Sequence, residues 1–247
     1  MSAAARHGLA PMSLGVSLVH FGLPALGLFA VTRWGIPALV RAGVAPMAAW
    51  YLAGLAVFAP LLVIALGRAR RECGGEPGAV ARRLWLRRPS RAELLEAGLV
   101  LAGVLVASGA VFGAMALGAR SLGVSAPSPL PPFLAGLDLE RGTGSAPLMA
   151  LWVPFFCCNI LGEELFWRGY ILPRQELAFG RHAWALNAAL WAVFHLAFGG
   201  PLLVLLVPLL VALPWLVQRR RNLWLGVLLH GVYNGIPSLL IASGLIR

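Results

Sequence analysis

The sequence contains no lysine, only nine acidic residues and only three cysteines. All 20 basic side chains are arginines, and most lie in short runs beside apolar segments. This placement is typical of contacts with lipid head groups, and no soluble basic domain is present to bind nucleic acid. Cys157 and Cys158 are neighbours in an apolar stretch and Cys73 lies in an arginine-rich loop. The cysteines therefore form neither a disulfide framework nor a zinc motif.

Hydrophobic residues are abundant and make up 60% of the chain. Seven apolar segments are long enough, or nearly so, to cross about 30 Å of hydrocarbon at 1.5 Å per residue. They lie near residues 12–32, 46–66, 94–118, 147–172, 183–199, 201–217 and 223–246. Ser90 and Glu93 have the spacing of a capping box before the third segment. The sequence predicts an all-α, polytopic transmembrane helix bundle with about seven spanning helices.

The arginines also predict the orientation of this bundle. With a cytoplasmic N-terminus, 14 arginines fall on the cytoplasmic side, five on the outer side, and Arg168 within the membrane. The positive-inside rule favours this arrangement in a cell membrane, with an extracytoplasmic C-terminus. Residues 1–118 then form N-terminal helices with an arginine-rich cytoplasmic linker. Residues 119–146 form an extracytoplasmic loop, and residues 147–247 form a core of four helices.

The stretch GEELFWRG, residues 162–169, places three ionisable side chains in the fourth apolar segment. A charge within a bilayer costs roughly 2.5–3.5 kcal/mol, so this cluster needs a reason. Glu164 and Arg168 are four residues apart and can pair along one helix face. Glu163 is then free to face elsewhere, and we expect the pair to fix its orientation.

Two further stretches carry polar side chains at helical spacing. WAVFH places Trp191 and His195 on one stripe, and HGVYN places His230 and Asn234 on one face. Measured from the nearest cytoplasmic markers along ideal helices, Glu163, His195 and His230 lie roughly 16, 20 and 12 Å deep. Three helices therefore bring a carboxylate, two imidazoles and an amide to a similar level, toward the cytoplasmic side.

This combination of side chains suits the hydrolysis of an amide bond. A carboxylate and an imidazole beside a confined water can remove its proton and make it a nucleophile. A second imidazole and a carboxamide can donate hydrogen bonds to the oxyanion that forms when the water attacks a carbonyl. The residues alone thus predict a hydrolase whose reacting groups lie within the membrane.

The three motifs resemble those of the CAAX-protease and bacteriocin-processing family of intramembrane endopeptidases. EELFWR resembles the EExxxR motif of the family, and HGVYN resembles its His-xxx-Asn motif. WAVFH resembles its aromatic-xxx-His motif, with tryptophan where phenylalanine is common. The order of the motifs also matches, and the resemblance covers about residues 147–240.

The resemblance implies a role for each matching residue. Glu163 and His195 would activate the water, and His230 and Asn234 would stabilise the oxyanion. Supporting roles would fall to Glu164, Arg168 and Trp191. The implied partners are the lipid bilayer and a membrane-tethered protein or peptide, which is a prenylated CAAX tail, a bacteriocin precursor or a C-terminal sorting tail.

Two alternatives remain open at this stage. Glu163, His195 and His230 are candidate zinc ligands, so the enzyme is either a metalloprotease or a metal-free protease with a glutamate-activated water. The alternative function is a non-catalytic membrane protein that binds a peptide, such as a bacteriocin-immunity protein. A transporter is disfavoured because the sequence shows no inverted repeat.

Overall fold

The computed structural model describes residues 9–126, 128 and 130–245, and every regular element in these residues is helical. The α-helices are α1 (Leu14–Ala30), α2 (Ile36–Arg41), α3 (Pro46–Glu72), α4 (Pro77–Arg83), α5 (Arg91–Ser121), α6 (Ala146–Glu163), α7 (Leu172–Phe179), α8 (Ala183–Phe194), α9 (Gly200–Arg220) and α10 (Leu223–Ala242). Val31–Gly35 and Glu164–Ile171 are π-helical, whereas Gly180–His182 and His195–Phe198 are 3-10 turns. The predicted all-α fold is confirmed. Arg6 and Arg247, which enter the arginine bias, lie outside the described residues.

Six helical stretches among the described residues are long and apolar enough to cross a membrane. They are Leu14–Arg41, Pro46–Glu72, Arg91–Ser121, Ala146–Phe198, Gly200–Arg220 and Leu223–Ala242. The 53-residue stretch Ala146–Phe198 contains two of the predicted segments. The chain reverses direction within this stretch, since Trp191 contacts Glu163, 28 residues earlier. The second of these segments includes α8, which has only 12 residues and is about 18 Å long. The predicted polytopic bundle is therefore confirmed, and one of its predicted segments is a short helix.

The capping box predicted before the third segment is present at the start of α5. The Ser90 hydroxyl accepts a hydrogen bond from the Glu93 backbone N–H at 3.2 Å, and the Glu93 carboxylate accepts one from the Ser90 backbone N–H at 2.9 Å. Glu76 caps α4 in a similar way. The backbone N–H groups of Gly78 and Ala79 donate to its carboxylate and lower its pKa.

Two glycines allow α3 and α6 to pack closely just before the first motif. A Cβ at Gly162 would lie 2.5 Å from the Phe58 backbone oxygen, and one at Gly54 would lie 2.4 Å from Phe155 Cε2. Neither distance is tolerated without a shift of the neighbouring atoms. The end of α6, which carries Glu163, is thus held firmly against α3.

Ion pairs join several of the segments that are predicted to be cytoplasmic. Glu72 at the end of α3 contacts both Arg83 and Arg174, and Arg221 lies 2.6 Å from Glu176. These contacts bring the ends of α3, α4, α7 and α9 together at one end of the bundle.

The segments that are predicted to be extracytoplasmic meet at the opposite end. The Gly144 backbone N–H donates to Ala242 O at 2.8 Å. Arg141 Nη2 donates to Gly43 O at 2.9 Å. The loop between α5 and α6 therefore contacts both the α2–α3 turn and the end of α10.

Candidate active site

Glu163 is the last residue of α6 and is only 1% exposed. Its Oε1 accepts a hydrogen bond from Asn159 Nδ2 at 2.9 Å, and its Oε2 accepts one from Trp191 Nε1 at 2.6 Å. The orientation of Glu163 was expected to come from the neighbouring ion pair. Instead, its direct hydrogen bonds come from two neutral donors, of which Asn159 belongs to none of the three motifs. The four-residue spacing from Asn159 to Glu163 is the signal that identifies this contact.

Glu164 and Arg168 form an ion pair at 3.0 Å, and both side chains are fully buried. The Arg168 Cζ lies 3.6 Å from the centroid of the Trp191 ring, so the guanidinium also stacks on that indole. Within the described residues, Glu164 Oε2 and Arg168 Nε and Nη2 have no hydrogen-bond partner. The Arg168 charge consequently depends on Glu164 and on the aromatic ring.

The ion pair lies in the π-helical segment Glu164–Ile171, whose eight residues are all buried. At the end of this segment, Pro173 has no N–H with which to bond Gly169 O one turn earlier. Arg83 Nη1 from α4 donates to that oxygen at 3.1 Å instead. Arg174 Nη1 likewise donates to Tyr170 O at 2.7 Å. A side chain from the N-terminal part of the protein therefore donates to a backbone oxygen directly after the first motif.

His195 lies in the turn that follows α8 and is 5% exposed. Its Nδ1 lies 2.9 Å from Trp191 O. Because a carbonyl oxygen only accepts, Nδ1 carries the proton and Nε2 has a lone pair. No residue in the described part of the chain hydrogen-bonds this Nε2, which is therefore available to a water or a substrate.

His230 connects the ion pair to Asn234 on α10. Its Nδ1 lies 2.9 Å from Glu164 Oε1, and its Nε2 lies 3.0 Å from Asn234 Nδ2. The paired Glu164 carboxylate accepts, so Nδ1 donates and Nε2 accepts from the Asn234 amide. The second amide hydrogen of Asn234 has no partner among the described residues, and this half-buried side chain can donate it to another oxygen.

The structure brings all the residues of the predicted site together. The contacts run from Asn234 through His230, Glu164 and Arg168 to Trp191, which in turn contacts Glu163 and His195. No group of three or more His, Cys, Asp or Glu residues in the described ranges is placed to hold a metal ion. A metal bound by Glu163, His195 and His230 would require His230 to release Glu164 or Asn234.

One protein family matches this part of the chain. Residues 145–236 match the family described as type II CAAX prenyl endopeptidase Rce1-like. The matched segment contains all three motifs, so the resemblance that they predict is confirmed. No curated protein and no solved structure matches the chain.

Proposed function

From the family match at residues 145–236, we propose that this multi-pass membrane protein is an intramembrane endopeptidase. It would hydrolyse a peptide bond of a membrane-tethered protein or peptide, with a CAAX-type C-terminal tail as the first substrate class to test. The observation that carries the proposal is the buried network that joins the carboxylates of one motif to the histidines of the other two.

Glu163 and His195 are the proposed bases for the attacking water. His195 Nε2 has an available lone pair, and Glu163 lies against the same indole that the His195 ring contacts at 5.0 Å. A water between these groups would lose its proton to one of them as its oxygen attacks the carbonyl carbon. The proton then passes to the leaving nitrogen when the tetrahedral intermediate collapses and the C–N bond breaks.

Asn234 is the proposed donor to the oxyanion. Its amide is oriented by His230 Nε2, and its second N–H is free to donate to the substrate oxygen. For His230 to donate to the oxyanion, Nε2 would have to carry a proton and give up the hydrogen bond that it accepts from Asn234. Stabilisation of developing charge by such prearranged donors is a large contribution to catalysis.

The proposed location is the cell membrane, with the arginine-rich end of the bundle in the cytoplasm. The contacts that join Glu72, Arg83, Arg174 and the α9–α10 turn support a common side for these segments. Reporter fusions at residue 78 and residue 130 should report the cytoplasm and the exterior, respectively. The same compartment for both would overturn this topology.

Glu163→Gln tests the function in cells, where the natural substrate is present whatever its sequence. Membranes from cells that express the wild type should contain new protein C-termini, detected by mass spectrometry, that are missing with Glu163→Gln. The variant should accumulate and unfold like the wild type, because the Gln oxygen can accept from the Trp191 indole and Asn159 can turn its amide so that its oxygen accepts from the Gln nitrogen. Identical C-termini would favour the non-catalytic alternative.

Metal content and activity in a chelator, measured on the same purified protein, would decide between the zinc-dependent and the metal-free reaction.

A further inference from the structure

Trp191 contacts four of the ionisable side chains of the proposed site. It is fully buried, its indole N–H donates to Glu163 at 2.6 Å, and the Arg168 guanidinium stacks on its ring. The rings of His195 and His230 meet it nearly edge-on, at centroid distances of 5.0 and 5.4 Å. A single rigid ring therefore sets the relative positions of the two proposed bases and the charged pair.

Asn159 supplies the second contact to Glu163, from one turn earlier on α6. The carboxylate thus accepts one hydrogen bond at each oxygen, from an amide and from an indole. Both donors are neutral, whereas the charge of Arg168 is directed to Glu164. Two donors from different helices fix the carboxylate plane without forming an ion pair with it.

We propose that Trp191 and Asn159 are the positioning residues of Glu163, and that the Glu164–Arg168 pair acts instead on His230 and Asn234. The indole N–H aligns Oε2, and the Asn159 amide prevents rotation of Oε1 away from the water. This inference rests on the proposed role of Glu163 as a base. It assigns the tryptophan of the second motif a hydrogen bond that phenylalanine cannot make.

The hydrogen bond itself can be tested without any substrate. Protein with 15N-labelled tryptophan is placed in detergent micelles, and the indole N–H resonance of Trp191 is assigned by its absence from Trp191→Phe. It should lie downfield of that of Trp152, whose indole donates to the neutral Ser238 hydroxyl at 3.2 Å. Glu163→Gln should move it upfield and leave that of Trp152 in place. A Trp191 indole N–H chemical shift that is the same in Glu163→Gln and the wild type would overturn the proposal.

The kinetic test replaces the indole at position 191 by benzothiophene, which has sulfur in place of N–H and nearly the same shape. The probe is a fluorogenic peptide with a farnesylated Cys-aliphatic-aliphatic-X end. We expect kcat to fall about 10- to 100-fold with KM unchanged, because a hydrogen bond to a charged group is lost while packing is retained. Asn159→Leu should show the same split between kcat and KM. The same N–H-to-sulfur replacement at Trp152 is the matched control and should leave kcat unchanged.

The outcomes separate this inference from the proposed function. If Glu163→Gln abolishes cleavage and the benzothiophene variant turns over at the wild-type rate, Glu163 remains the base and the positioning role is wrong. If Glu163→Gln cleaves normally, the proposed function of Glu163 fails and the inference fails with it. A fall in kcat for the Trp152 control equal to that at position 191 would show a general loss of packing, which also overturns the positioning role.

Discussion

Arg168→Met removes the charge that pairs with Glu164 and keeps a side chain of similar length. Both partners are fully buried and 3.0 Å apart, so Glu164 would be left as an uncompensated buried charge. Breaking such a pair costs about 3–5 kcal/mol. Loss of stacking on Trp191 acts in the same direction, since a desolvated cation–π contact contributes about 2 kcal/mol.

The expected change in unfolding temperature is large. For a chain of this size, 1 kcal/mol corresponds to about 2–4 °C, so a loss of 3–5 kcal/mol predicts a Tm lower by about 6–20 °C. Thermal unfolding followed by tryptophan fluorescence in detergent measures it. Arg168→Lys should fall between wild type and Arg168→Met, because it keeps the charge and loses the planar stack.

The double variant Glu164→Gln/Arg168→Met is the control that identifies the cause. It has the same stacking defect as Arg168→Met but no unpaired charge, so it should recover part of the lost Tm. The reasoning is refuted if Arg168→Met unfolds at the wild-type temperature. Equal Tm values for the single and double variants would show that the unpaired Glu164 charge is not the source of the loss.

Two other variants test the oxyanion donor and the contact from α4. Asn234→Ala should lower turnover about 10²- to 10³-fold with substrate affinity nearly unchanged, in steady-state assays of folded protein. A lower protein level with normal turnover per folded molecule would instead indicate a structural role for Asn234. Arg83→Met should lose about 1–3 kcal/mol of stability, because the buried hydrogen bonds from Arg83 to Gly169 O and to the Glu72 carboxylate are removed. Arg82→Met, at an exposed neighbour, should stay within about 0.5 kcal/mol in the same thermal assay.

Helical spacing was sufficient to predict the contacts within each helix of the site. Glu164 and Arg168 pair because residues four apart share a face, and the same spacing joins His230 to Asn234. The start of α5 was equally predictable, since a capping box is a local pattern at Ser90. Each of these contacts depends on a few neighbouring residues, and tertiary packing does not override them.

The contacts between helices could not be predicted from spacing. Nothing in WAVFH shows that Trp191 donates to Glu163, because the bond exists only after α8 folds back along α6. The link from Arg83 to Gly169 joins residues 86 apart and depends on a π-helical segment that no sequence pattern predicts. Pro173 gives the only local hint, as a position that leaves a carbonyl oxygen without its usual donor.

Gly226 shows how closely α10 approaches the ion pair. A Cβ at this position would lie 2.6 Å from Glu164 Oε2 and 2.8 Å from Val217 Cγ2. A flexible carboxylate would move aside at little cost, but the other oxygen of Glu164 is held by Arg168 and His230. The added methyl group must therefore displace the pair or separate α10 from α9.

Gly226→Ala should therefore destabilise the protein by about 1–3 kcal/mol, the usual cost of overpacking, although alanine is the better helix former. Gly231→Ala is the matched control, because its nearest neighbour would be Ile160 Cγ2 at 3.9 Å, an ordinary contact. The control should unfold at or slightly above the wild-type temperature, since alanine gains about 0.8–1 kcal/mol of helix propensity over glycine. Thermal unfolding of both variants in one detergent separates propensity from packing. Equal shifts of Tm in the two variants would mean that a methyl group at position 226 does not displace Glu164, which would contradict the close approach of α10 to the ion pair.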